Sequence, residues 1–337
     1  MLVVRPANLD DLGNIIDLAK QAGPGFTSLA VGEEKLADRL QKSVVSFEVS
    51  DPISPNHIYL LLLEDMARGQ VVGMSAVKAQ IGIKDPFFNF RILKVGRKSA
   101  VTNRRYDMDV IMMVNEYNGA TEVGSLYVRP EMRGTGAGRL ISQSRYMLMA
   151  ANLERFSDTV ISELRGHVDD NGGSPFWEAI GRKFFQMDFT EADHISAEQD
   201  SQFISDLMPR YPIYVELLPQ SAREVMGKTH PAGLGARRLL EAEGFRYNGM
   251  IDIFDGGPSV SAPIKDIRTI KDSRVEIPQP STAVLNLKAL VSNDQISKFR
   301  SIFTEVGFDG EQLLMKEEDM KTLLLEKGEA VRLWIKR

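Results

Sequence analysis

The chain has 337 residues, enough for two domains or one large domain with an appendage, and its 43% hydrophobic and 26% charged residues suit a globular protein with a sizeable core. A formal net charge of −5 argues against general nucleic-acid binding, which depends on Lys and Arg neutralising phosphates. Zero cysteines exclude disulfides, thiolate catalysis and cysteine metal sites, and only four histidines are present, too few for a histidine-rich metal centre.

The opening "LVVRPA" (2–7) reads as a strand, and "MLVVRPANLDD" has no basic segment followed by a long apolar run, so no signal peptide is expected. Asn8 to Asp11 start a helix that continues through "LGNIIDLAKQA", and Leu36, Leu40 and Val44 mark a second amphipathic helix over 33–47. "HIYLLLLEDMARGQVVGMSAVKA" (57–79) predicts two strands joined at Met66 to Gly69, and its apolar run is strand-sized, far short of the ~20 residues of a membrane helix. A cytoplasmic protein with no membrane partner is the expectation.

Residues 80–108, with Pro86 and three Phe in "DPFFNFRI", admit two readings: a loop lining a site, or core packing from an irregular excursion. Packing is the favoured one. "VIMMVNEYNGATEVGSLYV" (110–128) predicts strand, turn and strand, with Asn118-Gly119 as the turn. Beyond it, Leu140, Met147, Leu148 and Ala151 mark the buried side of a helix, and "TVISEL" (159–164) is another strand. "SPFWEAIGRKFFQMDF" (174–189) predicts a short helix, a turn and a strand, echoed by "GARRLLEAEGFRYNGMIDIF" (235–254). From about Gly256 the chain turns rich in Gly, Pro and Ser, and a small β-rich appendage is expected from about 276.

The segment "LYVRPEMRGTGAGRLI" (126–141) carries the chemistry. A strand feeds a glycine-rich turn that opens a helix, which is the architecture of a phosphate cradle: first-turn N–H groups lack helical partners, and glycine lets the backbone approach an anion. It is not a nucleoside-triphosphate loop, because Gly138 is followed by Arg139-Leu140 rather than Lys-Ser/Thr. Nor is it the dinucleotide fingerprint, because the glycines fall as G-x-G-x-G. A surface turn capping an ordinary helix is the plain alternative.

Arg133-x-x-Gly136-x-Gly138 after a strand resembles the acyl-CoA pyrophosphate loop of the GNAT-type N-acyltransferases. "GFTSL" (25–29), "SPFWEAIGRKFF" (174–185), "FISDLMPRYPIY" (203–214), "MGKTHPAG" (226–233), "EAEGFRYNGMIDIFDGGP" (243–258) and "AVRL" (330–333) are similar to the arginine N-succinyltransferase family. That resemblance covers most of the chain, is specific between about 1 and 275, and thins between 276 and 325. It implies an α+β fold: a GNAT-like, mixed, mostly antiparallel twisted sheet flanked by helices, with a second GNAT-like half-unit and a small β-rich C-terminal appendage. The implied division is 1–195 for acyl-CoA binding, 196–275 for a second α/β unit contributing a catalytic histidine, and 276–337 for the C-terminal subdomain.

The resemblance also implies succinyl-CoA as co-substrate, L-arginine with L-ornithine as an alternative amine, no metal, and a homodimer or paired subunit. Leu126 matches the family position assigned to succinyl-CoA binding, with Val128 offering similar backbone groups. Arg133, Gly134, Gly136, Ala137 and Gly138 would receive the pyrophosphate. Arg133 either reaches phosphate oxygens or braces the loop. N-acyl transfer needs a donor at the developing oxyanion, a neutral amine and a proton for the departing thiolate. Histidine suits the proton work, and the four choices are His57, His167, His194 and His230. His230, followed by Pro231, is expected at a helix N-cap, and by resemblance it is the catalytic proton donor.

Glu163, Asp252 and Asp255 are candidates for a guanidinium partner but read equally well as solvated turn residues. "DGGP" (255–258) is read as a tight turn. Two rival functions stand beside the main one: a GNAT-type enzyme with another donor or amine, and an acyl-CoA-binding subunit that works only with a catalytic partner.

Overall fold

The computed structural model describes residues 1–22, 32–169, 172–198 and 202–336; the GFTSL stretch lies outside them. The chain opens with β1 (Leu2–Pro6), and Asn8 then forms a capping box. Its side chain accepts from Asp10 N while Asp11 accepts from Asn8 N, which starts the helical run into α1 (Leu12–Ala22). α2 (Glu33–Glu48) buries Leu36, Leu40 and Phe47. β2 (Ile58–Asp65) and β3 (Gln70–Lys78) form the expected hairpin, with Gly69 at φ 60 supplying the turn.

The stretch 80–108 packs as expected at its aromatic residues, since Phe90 is buried and Phe87 and Phe88 pack against neighbouring core clusters. It is not an irregular excursion, however. β4 (Asn89–Ser99) and β5 (Arg104–Val114) form one long antiparallel hairpin whose outer half stands in solvent, which is why its sequence lacks the alternation of a half-buried strand. β6 (Thr121–Val128), α3 (Ala137–Ala151) and β7 (Thr159–Glu163) follow as predicted.

The strand expected at the end of 174–189 is absent. Ser174 caps α4 (Pro175–Ala179), α5 (Gly181–Phe185) ends on Gln186 at φ 54, and Phe189 begins α6 (Phe189–Glu198). Trp177, Phe185 and Phe189 form an aromatic group, with Phe254 stacked on Trp177 at 5.5 Å, and this packing overrides the strand propensity of the aromatic run. The echo therefore fails in its first copy. Its second copy holds: α9 (Leu234–Glu243) ends on Gly244 and enters β9 (Arg246–Asp252). Between them lie α7 (Gln202–Leu207), β8 (Ile213–Tyr214) and α8 (Gln220–Val225).

The remainder is β10 (Pro258–Pro263), α10 (Arg268–Asp272), β11 (Arg274–Glu276), β12 (Gln279–Pro280), β13 (Leu287–Asn293), β14 (Ser301–Asp309), β15 (Gln312–Met315), α11 (Glu317–Thr322) and β16 (Val331–Ile335). The expected β-rich end is there, and it is an extension of the main sheet. Among the described residues the strand order is β11-β16-β13-β14-β1-β2-β3-β6-β7-β10-β9-β4-β5-β8, with β15 beside β14 and β12 beside β15. All pairs are antiparallel except β6/β7 and β12/β15, so the fold is α+β with a mostly antiparallel sheet flanked by helices.

Alternation along β2 sorts the two faces. Tyr59, Leu61 and Leu63 join α3 in the largest core, which also takes Leu290 and Trp334 from the C-terminal strands and Phe299 from the connection between β13 and β14. Leu60 and Leu62 face α1 and α2 in a second core. Among the described residues no helix is long and apolar enough to cross a membrane.

Candidate active site

Among the described residues the one parallel contact within the main sheet, β6 against β7, lasts for two register positions, Thr121 with Val160 and Glu122 with Ile161. Ser162 Oγ then donates to Val123 O at 2.8 Å, and the strands part. β6 stays with β3 as far as Val128, while β7 stays with β10 through Glu163 and Ser259. A wedge therefore opens beside Gly124 to Val128, and among the described residues the β7-facing edge of Leu126 and Val128 has no register partner. Groups of an extended ligand can hydrogen-bond to such an edge as a strand would.

At the mouth of this wedge β6 carries a bulge. Its pairing with β3 shifts between Met74 and Ala76, and Ser125 sits at φ 50, a left-handed conformation unusual for a residue other than glycine. Sequence reasoning missed Ser125. The available signal was Gly124, since an isolated glycine in a strand pattern marks a bulge. Leu126, next to it, packs partly against the α3 core, so its side chain is structural and its backbone is what the wedge can use.

Past Val128 the chain makes a short helical turn at Pro130–Met132 and enters the glycine loop. Thr135 Oγ1 donates to Met132 O at 2.7 Å and closes the loop. Gly134 (φ 80) and Gly136 (φ 95) take left-handed conformations, and a Cβ added to either would meet nothing within 4 Å. Gly136 is the N-cap of α3 and supplies no side-chain cap; Thr135 Oγ1 accepts from Ala137 N at 3.4 Å, and half-buried Gly138 follows in the first turn, where helical N–H groups lack intrahelical partners. A Cβ on Gly138 would only approach Val128 Cγ2 at 4.0 Å. The loop thus fits a phosphate group, held by N–H donors and by the positive end of a 15-residue helix.

Arg133 is exposed on the loop. Arg129, just before the loop, ties β6 to its neighbours: its Nε donates to Val71 O at 3.1 Å and its guanidinium pairs with Asp17.

His230 arrives from the other half of the chain. It is the N-cap of the short helical turn Pro231–Gly233 that leads into α9, with Pro231 at the first helical position, as the sequence predicts. Its backbone N donates to Arg165 O at 2.8 Å, two residues past the end of β7. The histidine is therefore tied just past the C-terminal end of β7, the strand that parts from β6. His230 Nδ1 accepts from Ala232 N at 3.2 Å. In the neutral ring that acceptor places the proton on Nε2, so the ring offers a donor.

The other histidines fall differently. His57 is buried among Tyr59 and its neighbours, and burial pushes its pKa below the ordinary value, which marks a core residue. The His167 ring lies 6.5 Å from that of His230. His194 is on α6, with its side chain outside the described residues.

Glu163, Asp252 and Asp255 are not solvated turn residues. Asp252 N donates to Gly257 O at 2.8 Å, so "DGGP" is the tight β9–β10 turn expected. Asp255 is buried and accepts from Gly166 N at 2.6 Å and Gly257 N at 2.7 Å. Burial, then the neighbouring Asp252, pushes Asp255 well above the usual carboxylate range, and Asp252 is raised by burial too. Glu163, partly buried at the end of β7, accepts from Asn89 Nδ2 at 2.8 Å and Ser259 Oγ at 3.2 Å. Desolvation raises it well above the usual range, with Asp252 and Glu122 adding repulsion. Asn89, 0% exposed, leaves its Oδ1 without a partner beside this group.

Residues 2–269 match the family described as arginine N-succinyltransferase beta subunit. The chain belongs to that family. Arginine N-succinyltransferases of Escherichia coli strain 55989 and of strain K12 / DH10B are each 36% identical over 335 residues, covering 99% of this chain and 97% of the relative. In structure it is similar to the arginine/ornithine succinyltransferase subunit AI of Pseudomonas aeruginosa. The TM-score is 0.90 and the identity 34%, over 99% of this chain and 98% of that one. Family membership makes the chain an acyltransferase of the acyl-CoA-dependent kind, and the wedge and loop are the parts of the fold that suit such a donor.

Proposed function

We propose that the chain transfers the succinyl group of succinyl-CoA to the α-amine of L-arginine, giving N2-succinyl-L-arginine and CoA, the first step of arginine breakdown by succinylation. The observation that carries this reading is the wedge between β6 and β7 leading into the glycine loop at the N-terminus of α3, in a chain of this family. Leu126 and Val128 offer backbone groups to the pantetheine arm. Gly134, Gly136, Ala137 and Gly138 receive the pyrophosphate, and Arg133 adds positive charge at its rim.

The reaction is direct attack of a neutral amine on the thioester carbon, with the thiolate leaving. The attacking amine sheds a proton as the amide bond forms and the departing thiolate takes one up, and His230 is the residue assigned to that proton transfer. The carboxyl group of Glu163 faces the same end of the sheet and is the partner assigned to the guanidinium, with the unpaired Asn89 Oδ1 as a further acceptor. The reading takes residues 1–195 as the acyl-CoA-binding part, 196–275 as the part supplying His230, and 276–337 as a C-terminal subdomain.

The test is thiol release from succinyl-CoA by the purified chain with arginine, ornithine and lysine offered separately, and acetyl-CoA as control donor. Release that requires both succinyl-CoA and arginine is the expected result. Equal release from acetyl-CoA, or with another amine, would overturn the donor or acceptor assignment. Silence with every pair would point to a subunit that works only with a partner, a reading that the subunit named in the Pseudomonas aeruginosa structure keeps in play.

A further inference from the structure

The β9–β10 turn makes more contacts than the reversal of the chain requires. Asp255 within it is 8% exposed, and each of its carboxyl oxygens accepts a backbone N–H, Oδ2 from Gly166 at 2.6 Å and Oδ1 from Gly257 at 2.7 Å. Gly166 belongs to the segment that leaves β7, far from the turn in sequence. From the other side, Gly256 O accepts from Gly227 N at 2.8 Å, at the head of "GKTHPAG" (227–233).

These ties close a ring around His230. Its backbone N donates to Arg165 O at 2.8 Å, the next residue, Gly166, is held by Asp255, and Gly227, three residues before the histidine, is held by Gly256. One turn therefore fixes the histidine's backbone from both directions. The segments approach closely enough to exclude side chains: a Cβ on Gly166 would meet Asp255 O at 2.5 Å and Gly257 N at 2.7 Å, and one on Gly257 would run into Leu164 O. Asp255 is itself anchored, since Asp252 Oδ1 accepts from Asp255 N at 2.8 Å and from Phe254 N at 2.7 Å. Burial pushes the Asp255 carboxyl well above the usual carboxylate range, and its two backbone hydrogen bonds oppose that only in part. The folded state thus keeps this carboxyl at a cost near neutral pH.

We propose that the β9–β10 turn sets the place of the His230 imidazole, with Asp255 as the positioning residue that clamps the segment after β7 to it. The inference rests on the proton role given to His230 above. Asp255 acts through the backbone of its neighbours and is assigned no contact with substrate. Asp255→Asn keeps the size of the side chain and one acceptor oxygen, but its amide nitrogen cannot accept, so the tie to Gly166 or to Gly257 is lost. A shift of about 1 Å in a group that moves a proton lowers turnover by up to about a hundredfold, while a donor held elsewhere binds as before.

The experiment uses the full chain as wild type, Asp255→Asn, His230→Ala and the double variant. It measures thiol release from succinyl-CoA with arginine, and succinyl-CoA affinity without it. Asp255→Asn is expected to lower kcat by roughly ten- to hundredfold with affinity within about twofold. Added to His230→Ala it should cost no further turnover, because it acts only through that ring. Unchanged kcat in Asp255→Asn, or a double variant slower than His230→Ala by about tenfold or more, would overturn the proposal. Should Asp255→Asn fail to fold, Gly227→Ala loosens the other tie: Gly227 sits at φ 68, and the added Cβ meets the Tyr247 hydroxyl at 2.7 Å, the movable end of a side chain. It should show the same pattern at smaller size, and full turnover there would equally overturn the proposal. Histidine ring signals read by NMR separate this clamp from the chemistry. A His230 signal that moves in Asp255→Asn while the His57 signal stays upholds the clamp even in a chain that releases no thiol, and the proton role of His230 then falls instead. An unmoved His230 signal overturns the clamp whatever the turnover.

Discussion

Glu163 shows how a single residue can oppose stability for the sake of a site. Its carboxyl is partly buried beside Asp252 and within the field of Glu122, and the two hydrogen bonds from Asn89 and Ser259 do not offset that burial. A raised folded-state pKa means that the neutral form is the one folding prefers. The stability it contributes is present below the ordinary glutamate value and is lost as pH rises through the folded value. Glu163→Gln keeps an acceptor for Asn89 and cannot ionise. Its melting temperature should exceed that of wild type by a few degrees at pH 8, with the gap closing toward pH 4. Thermal melts across that range check this, and a gap that did not vary with pH would contradict it. The same variant should raise the KM for arginine. A gain in stability with a loss of function is the pattern of a residue kept for binding. The sequence could not show this, because Glu163 reads as an ordinary strand-end carboxylate until Asn89 and the β9–β10 residues Asp252 and Ser259 are brought to it from two distant places in the chain.

At the scale of elements, the loop and α3 were legible because their signal is local. The strand, the spacing of Gly134, Gly136 and Gly138, and the apolar period of the helix all sit within about thirty residues, and each demands a backbone conformation of its own. The bulge at Ser125 left one weak trace in Gly124. The helical run α4–α6 was not legible as such, because "KFFQMDF" has strand propensity and only the packing of Trp177, Phe185 and Phe189 decides against it. The loop itself makes a sharp prediction at Gly138, the second residue of α3. Alanine there meets only Val128 Cγ2 at 4.0 Å and suits a helix better than glycine. Gly138→Ala should therefore leave stability unchanged or raise it by up to about 1 kcal/mol. CoA affinity should fall by at least about tenfold, because the added methyl stands where the pyrophosphate approaches. Denaturant unfolding and CoA titration separate the two effects, and unchanged CoA affinity would remove Gly138 from the cradle.

The whole molecule explains why the site needs most of the chain. His230 lies nearly a hundred residues beyond the glycine loop, yet its backbone is tied to Arg165 at the end of β7, the strand that diverges from β6. The C-terminal strands contribute to the same assembly. β14 meets β1 at Val4 and Ser301, Ser144 of α3 and Ser301 share a hydrogen bond at 3.2 Å, and Trp334 takes the Arg139 guanidinium of α3 at 6.0 Å and that of Arg268 at 5.2 Å. The residues after 276 thus brace α3, the helix at whose N-terminus the cradle is proposed, a role that no resemblance over 276–325 had suggested. The central claim is that the loop half binds the donor while His230 handles the proton. The most direct measurement compares wild type with His230→Ala for thiol release with arginine, alongside succinyl-CoA affinity measured without arginine. The account predicts that turnover falls by about a hundredfold or more while affinity stays within about twofold. Turnover unchanged in His230→Ala would contradict it.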